Sequence, residues 1–184
     1  VLGKENVGDG DSRRFRRQDH ADITSLQAVS KIIDEEKDFS NLYLKVNQNI
    51  IFPEILCEKL ANVLGMIIGD GGFWARKNSN RLISTFTTGD DELKDLFCNH
   101  IKELFNVEPR IKWEDARWRV HLPSDIIVKW FVKTFDFHVG NTAKIKFIPP
   151  QIMKSPKSVV SSFIRGLFDS DVCASKDGSN IIYV

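Results

Sequence analysis

Two aspartates, Asp70 and Asp171, close two short segments that resemble each other. The first reads Val63-Leu64-Gly65-Met66-Ile67-Ile68-Gly69-Asp70-Gly71 and the second Ile164-Arg165-Gly166-Leu167-Phe168-Asp169-Ser170-Asp171-Val172. In both, a glycine stands five positions before the aspartate and apolar residues fill most of the gap. A repeated segment implies two related structural units. A pair of carboxylates brought together is the hard oxygen donor set that a divalent cation such as Mg²⁺ takes.

To position these carboxylates, both segments must end a helix. Apolar spacing predicts a first helix from about Pro53 to Gly69, with Leu56, Leu60, Val63, Leu64, Ile67 and Ile68 on one face. A second is predicted to start with Ser155 as N-cap and Pro156 at the first helical position. Its stripe is Val159, Val160, Phe163, Ile164, Leu167 and Phe168. Gly65 and Gly166 lie within these stripes, where a glycine costs about 1 kcal/mol relative to alanine. Close approach of a second helix would offset that cost, so the two glycines are the expected helix–helix interface. Each aspartate then falls at a helix C-terminus, where the macrodipole disfavours negative charge. Two such placements call for a positive group. The plainer alternative is two core helices with polar ends. It suits either segment alone better than it suits the pair.

The paired segments resemble the LAGLIDADG motif of homing endonucleases, including the endonuclease domains of inteins. Gly65 and Gly166 match its first glycine, and Asp70 and Asp171 its metal-binding aspartate. Asn47-Gln48-Asn49-Ile50-Ile51-Phe52-Pro53-Glu54 before the first segment resembles intein-type members, as does Lys144-Ile145-Lys146-Phe147-Ile148-Pro149 before the second. The likeness covers roughly residues 40 to 184. It implies an α+β fold of α-β-β-α-β-β-α units with a saddle-shaped antiparallel sheet. It also implies Mg²⁺ held at Asp70 and Asp171 beside Gly69 and Ser170, and a catalytic lysine at Lys146, with Lys144 as the second choice. Two departures stand out. Val172 replaces a usual glycine, and valine resists positive φ. Ile68 replaces the motif's first, less essential aspartate, which Asp169 keeps.

Composition sets wider bounds. The 184 residues are 42% hydrophobic, enough for one domain and a fragment of another. Three cysteines, Cys57, Cys98 and Cys173, form no even set and no metal-ligand spacing, so reduced thiols and an intracellular setting are expected. No apolar run is long enough to span a membrane. Net charge is +1, but its distribution is uneven. Arg76, Lys77 and Arg81 lie in an acid-free stretch, as do Lys144, Lys146, Lys154 and Lys157. Asp90, Asp91, Glu92 and Asp95 gather at a predicted helix start. Such segregation can give a nearly neutral protein one basic face.

Along the chain, residues 1–45 read as an N-terminal arm or linker of expected intein origin, residues 46–150 as the first unit and residues 151–184 as the start of a second, truncated one. Ser12 to Arg17 could touch phosphate or simply be solvated, and residues 23–36 suit a short helix. A hairpin is predicted over Phe73–Lys77 and Arg81–Thr87, turning at Asn78-Ser79-Asn80. A helix from Asp90 to Phe105 follows. A second hairpin joins Pro109–Trp113 to Arg117–His121 through Glu114-Asp115-Ala116. Ser124 is the expected cap of a helix running to Val132, and Asp177-Gly178 a candidate turn in the second unit. Arg110, Lys112, Arg117, Arg119 and His121 alternate with apolar residues, giving one polar, basic sheet face. A two-stranded ribbon of this kind can enter the DNA major groove. Arg76, Lys77, Asn78, Arg81, Ser84, Thr87 and Lys144 complete the expected DNA-binding set, while Trp113 and Trp118 are expected to pack. An ordinary solvated sheet surface is the alternative.

The expected function is therefore site-specific double-strand DNA cleavage with Mg²⁺, with double-stranded DNA as partner and, for an intein, a host protein. Two rivals share the sequence features: a DNA-binding protein or RNA-splicing maturase that has lost catalysis, and a helical module with no nucleic-acid role. The chain carries no splicing nucleophile at residue 1 and no terminal His-Asn pair.

Overall fold

The structure is a computed structural model that describes residues 50–140, 147–174 and 181–183, with side chains through residue 171. Its elements are α1 (Glu58–Asp70), β1 (Gly71–Ala75), β2 (Leu82–Thr88), α2 (Asp91–Phe105), β3 (Arg110–Glu114), β4 (Arg117–His121), α3 (Asp125–Phe135), the single turn α4 (Pro150–Met153), α5 (Lys157–Asp171), β5 (Val172–Ala174) and β6 (Ile181–Tyr183). The fold class is α+β. From α1 to α3 the order is α-β-β-α-β-β-α, as expected, and α5-β5-β6 starts the same order again.

Local chemistry sets the element ends. The Asp90 carboxylate accepts from the Leu93 amide at 3.0 Å and starts α2, with Asp91 and Glu92 in its first turn where the helix dipole favours acids. Asn106 closes α2 in the left-handed region (φ 54°), its amide donating to Lys102 O, and Asp136 does the same for α3 (φ 55°). Asp115 and Ala116 both take positive φ (54° and 56°). That is the two-residue turn whose twist suits a tight hairpin, and it leaves Glu114 within β3.

Two helix starts differ from expectation, and a third, that of α3, keeps Ser124 at the N-cap position without its bond. α1 begins at Glu58 rather than near Pro53. The preceding segment instead runs irregularly along the core: the Ile51 amide donates to Phe105 O, Phe52 packs on the Phe105 and Trp130 rings, and Leu56 is fully buried. Ser155 donates its hydroxyl to Gln151 O at 2.8 Å, finishing the turn of α4 instead of capping α5. The first carbonyl of α5 is that of Pro156, which accepts from Val160.

The four strands form one antiparallel sheet in the order β1-β2-β4-β3. Phe73, Phe86 and Val120 project from one face into the core beneath α1, α2 and α3. Phe86 stacks on Phe97 with ring centroids 4.5 Å apart, and Phe73, Phe105, Trp130, Phe131, Phe135 and Phe137 continue the aromatic layer. α1 is buried all round from Leu60 to Ile67, not along one stripe, because sheet and α2 cover one side and α5 covers the other. The stripe of α5 is only partly covered: Val159 and Phe163 are buried, whereas Ile164 and Phe168 are exposed.

Candidate nucleic-acid interface and carboxylate pair

α1 and α5 cross at the two glycines. A Cβ built on Gly65 would lie 2.2 Å from Phe163 O and 2.6 Å from Leu167 N; one built on Gly166 would lie 2.2 Å from Asn62 O. These are backbone atoms, so no rotamer change relieves the clash, and only glycine permits this spacing. Polar groups lock the crossing along its length. The buried Asn62 amide donates to Ser162 O at 3.1 Å. The Ser162 hydroxyl donates to Glu58 O at 2.8 Å, and that of Ser158 to the Glu58 carboxylate at 2.8 Å.

From this crossing both helices run to the same end. A Cβ on Gly69 would lie 2.0 Å from Ser170 Oγ and 3.2 Å from Asp171 Cβ, so the last turns are in contact. Asp70 is the final residue of α1 and Asp171 the final residue of α5. Two carboxylates and two helix C-termini, each carrying roughly half a negative charge, meet at one edge of the interface. That is a concentration of negative potential. It suits a hard cation, which for Mg²⁺ means one or two carboxylates with the remaining positions left to waters and phosphate oxygens. Gly69 is required by the helix contact, since a side chain there would fill the space that Ser170 and Asp171 occupy. Among the described residues, no cluster of three or more His, Cys, Asp or Glu side chains could hold a metal ion.

Val172 opens β5, pairing with Tyr183. Its counterpart Gly71 has φ −118°, extended backbone that valine also adopts, so the expected difficulty with positive φ does not arise at this position. Gly71 is needed for space: a Cβ there would lie 2.7 Å from Ile67 Cα.

The outer face of the sheet forms a groove of about 510 Å³ lined by Asp70, Gly72, Trp74, Thr85, Thr87, Glu114, Asp115, Arg117 and Arg119. Strand register explains the lining. Gly72 faces Thr85 and Trp74 faces Ile83, Thr87 faces Arg119, and Lys112 faces Arg119, Arg110 faces His121 and Glu114 faces Arg117. Residues directly opposite share a face, so Arg110, Lys112, Arg117, Arg119 and His121 all stand on the groove side. Asp70 lines the same groove, so one carboxylate of the pair borders the outer sheet face.

Ser84 is a correction. It is 5% exposed, and its hydroxyl accepts from the Leu122 amide at 2.9 Å, on the core side of β2. Successive strand residues point to opposite faces, so Ser84 and Thr87, three apart, could never share a surface. Thr85 takes the place expected for Ser84. Arg76, Lys77, Asn78 and Arg81 lie exposed at the β1–β2 hairpin end, where the Arg76 amide donates to Arg81 O and Asn78 takes φ 59°. His121 Nδ1 lies 2.6 Å from Ser84 O. The carbonyl can only accept, so Nδ1 carries a proton. Trp113 and Trp118 do pack, edge to face at 4.7 Å. Trp118 also donates to Asp91 at 2.7 Å and lies under the Lys94 ammonium.

Lys144 and Lys146 lie outside the described residues, as do residues 1–45 and the turn at Asp177-Gly178. Besides Gly71 and Gly72, four groove residues were absent from the expected set: Trp74, Thr85, Glu114 and Asp115. Period-two counting from Thr87 reaches Thr85. The same counting reaches Glu114 from Lys112 and Trp74 from Arg76; that they share one groove follows from the strand order, which a single strand's sequence does not state.

No protein-family model matches the chain. Over 124 residues, 65% of its length, it is 27% identical to glutamine–fructose-6-phosphate aminotransferase (isomerizing) of Methanocaldococcus jannaschii, and it covers 10% of that protein. Over 160 residues, 77% of its length, it is 26% identical to replicative DNA helicase DnaB of Synechocystis, covering 17% of that protein. Among solved structures it is similar to mesophilic variants of the homing endonuclease I-DmoI, with TM-score 0.46 and 23% identity over 64% of this chain and 63% of that one. It is also similar to I-DmoI in complex with DNA and Mn, with TM-score 0.46 and 23% identity over 64% of each, and to I-DmoI in complex with DNA and Ca, with TM-score 0.45 and 22% identity.

Proposed function

We propose that this chain is a DNA endonuclease module of the LAGLIDADG homing type, which hydrolyses phosphodiester bonds with a divalent cation. The observation that carries this function is the crossing at Gly65 and Gly166, which brings the helix ends at Asp70 and Asp171 together, with Asp70 bordering the groove that Arg117 and Arg119 line. The sequence repeat supports it independently.

In this mechanism Arg110, Lys112, Arg117 and His121 contact the DNA from the groove face, together with Arg76, Lys77, Asn78 and Arg81 from the hairpin end. Thr85 and Thr87 present hydroxyls between them. Phosphate contacts fix register, and side chains reaching base edges carry specificity. Asp70 and Asp171, with the backbone at Gly69 and Ser170, would hold Mg²⁺, whose chemistry there would be activation of water and neutralisation of charge on the leaving oxygen. Lys146 is assigned the stabilisation of developing charge near the scissile phosphate, with Lys144 beside it on the DNA. Residues 46–150 serve as the first LAGLIDADG unit and residues 151–184 as the start of the second.

The two curated relatives support a mobile, intein-like origin. Their named activities, an aminotransferase and a replicative helicase, share no chemistry, yet each contains a matching segment that is a small fraction of its length. A segment common to such different proteins is one that neither activity needs, as an inserted element would be.

The test is cleavage of a plasmid library of candidate sites with Mg²⁺, comparing the wild type with Asp70→Asn and Asp171→Asn. Each substitution keeps side-chain size and removes the charge. Cutting should disappear in both while DNA affinity persists. Cutting that survives both substitutions would overturn the two-aspartate assignment. Salt-dependent binding with no cutting in any form would point to a DNA-binding protein without catalysis.

A further inference from the structure

The groove carries an unexpected charge balance. Two arginines, Arg117 and Arg119, line it against three carboxylates, Asp70, Glu114 and Asp115. Asp70 belongs to the carboxylate pair at the helix ends. Glu114 and Asp115 are remote from it in the chain, at the tip of the β3–β4 hairpin. A surface meant only to attract phosphate would have no carboxylates there.

Both acids are engaged with one arginine. The Arg119 guanidinium reaches Glu114 Oε2 at 3.1 Å through one terminal nitrogen and Asp115 Oδ2 at 2.7 Å through the other. Lys112, directly across from Arg119, approaches Glu114 Oε1 at 3.9 Å. The hairpin turn fixes the geometry: Asp115 in the left-handed region curls its carboxylate back toward position 119. Arg119 pairs across the sheet with Thr87, near the middle of the groove wall. All three side chains are at least a third exposed, so the pairs are individually weak and easily exchanged.

Resting on the DNA-binding function proposed above, we infer that Glu114 and Asp115 act as a latch on Arg119, holding it from phosphate until a well-fitted duplex displaces them, and so suppress binding to unmatched DNA. The physical basis is competition. A loosely held duplex gains one phosphate contact by opening the latch but places its backbone beside two carboxylates. A matched duplex gains further contacts at the same moment and offsets that repulsion. Specificity is a difference of affinities, and repulsive groups raise it by weakening the wrong complex more than the right one. Asp115 and Glu114 are positioning residues for Arg119, not readers of the base sequence.

The experiment measures binding of a random-sequence DNA duplex across a salt series for four forms: wild type, the Glu114→Gln/Asp115→Asn double variant, Arg119→Ala, and the triple combination. Asparagine tolerates positive φ, so the turn is kept, and circular dichroism checks that each form is folded. The double variant should bind about five- to tenfold more tightly at low salt, and its log–log salt slope should steepen by about 1, the signature of one additional phosphate contact. The triple combination should show no such gain over Arg119→Ala. Unchanged affinity in the double variant would overturn the latch. So would an equal gain without Arg119, which would mean simple repulsion. If the folded wild type and double variant both show no salt-dependent binding, the DNA-binding function fails, and the latch with it.

Discussion

Asp70 and Asp171 are placed by the packing of the helices that carry them. Gly65, Gly166 and Gly69 lack the carbon that would separate the helices, and Asn62 and Ser162 tie them with hydrogen bonds across the contact. Ser84 shows the converse: a hydroxyl that reads as a surface donor in the sequence spends its hydrogen bond inside the fold. Burial also changes chemistry at Cys98, whose thiol is pushed up to about 11, chiefly because desolvation disfavours the thiolate. At neutral pH only about one part in ten thousand of that thiol is ionised, and the thiolate is the reactive form. Native-state alkylation at Cys98, followed by peptide mapping, should therefore be slow at neutral pH. It should still be climbing about tenfold per pH unit above the range where an ordinary thiol levels off. Unfolding in denaturant should abolish the difference.

At the scale of elements, the α1–α5 crossing is where stability and function are joined. Gly65→Ala or Gly166→Ala places a methyl group about 2 Å from a carbonyl oxygen of the other helix. Overpacking of this kind typically costs about 1–3 kcal/mol, and the gain in helix propensity, about 1 kcal/mol, does not offset it when the clashing atoms are backbone. Urea denaturation should show each substitution lowering the midpoint by the equivalent of about 2 kcal/mol with the slope unchanged. Gly89→Ala is the control. Nothing lies within 4 Å of its would-be Cβ, so it should be neutral or slightly stabilising. A midpoint unchanged in Gly65→Ala would refute the close crossing.

On the scale of the whole molecule, a net charge of +1 coexists with a groove face that carries Arg110, Lys112, Arg117, Arg119 and His121. Acids gather at the start of α2, where Asp91 engages Trp118 and Asp95 pairs with Lys94, while Glu114 and Asp115 stand in the groove itself. Net charge thus says little about the partner here, and sidedness says more. Replacing Arg117 by alanine should lower DNA affinity uniformly across sequences and reduce the salt slope by about 1. A salt titration of binding reads both. If affinity and slope stay at the wild-type values, Arg117 makes no phosphate contact.

The sequence by itself determined what depends on local periodicity and on residue type. The two repeated segments, both hairpins, the span of α2 and the alternation of Arg117, Arg119 and His121 all express periods of two or 3.6. Strand alternation was equally legible for Ser84, and counting by two from Thr87 would have excluded it. Tertiary structure decided what depends on neighbours distant in the chain. Residues 50–56 are irregular rather than helical because Phe52 packs on Phe105 and Trp130 of α2 and α3 and Leu56 is buried in the core. α1 is buried all round because a helix about 100 residues later covers its second side. That Trp74, Glu114 and Asp115 line one groove was decided by the strand order β1-β2-β4-β3, since a strand's sequence states its two faces but not which strand lies beside it, or at what offset.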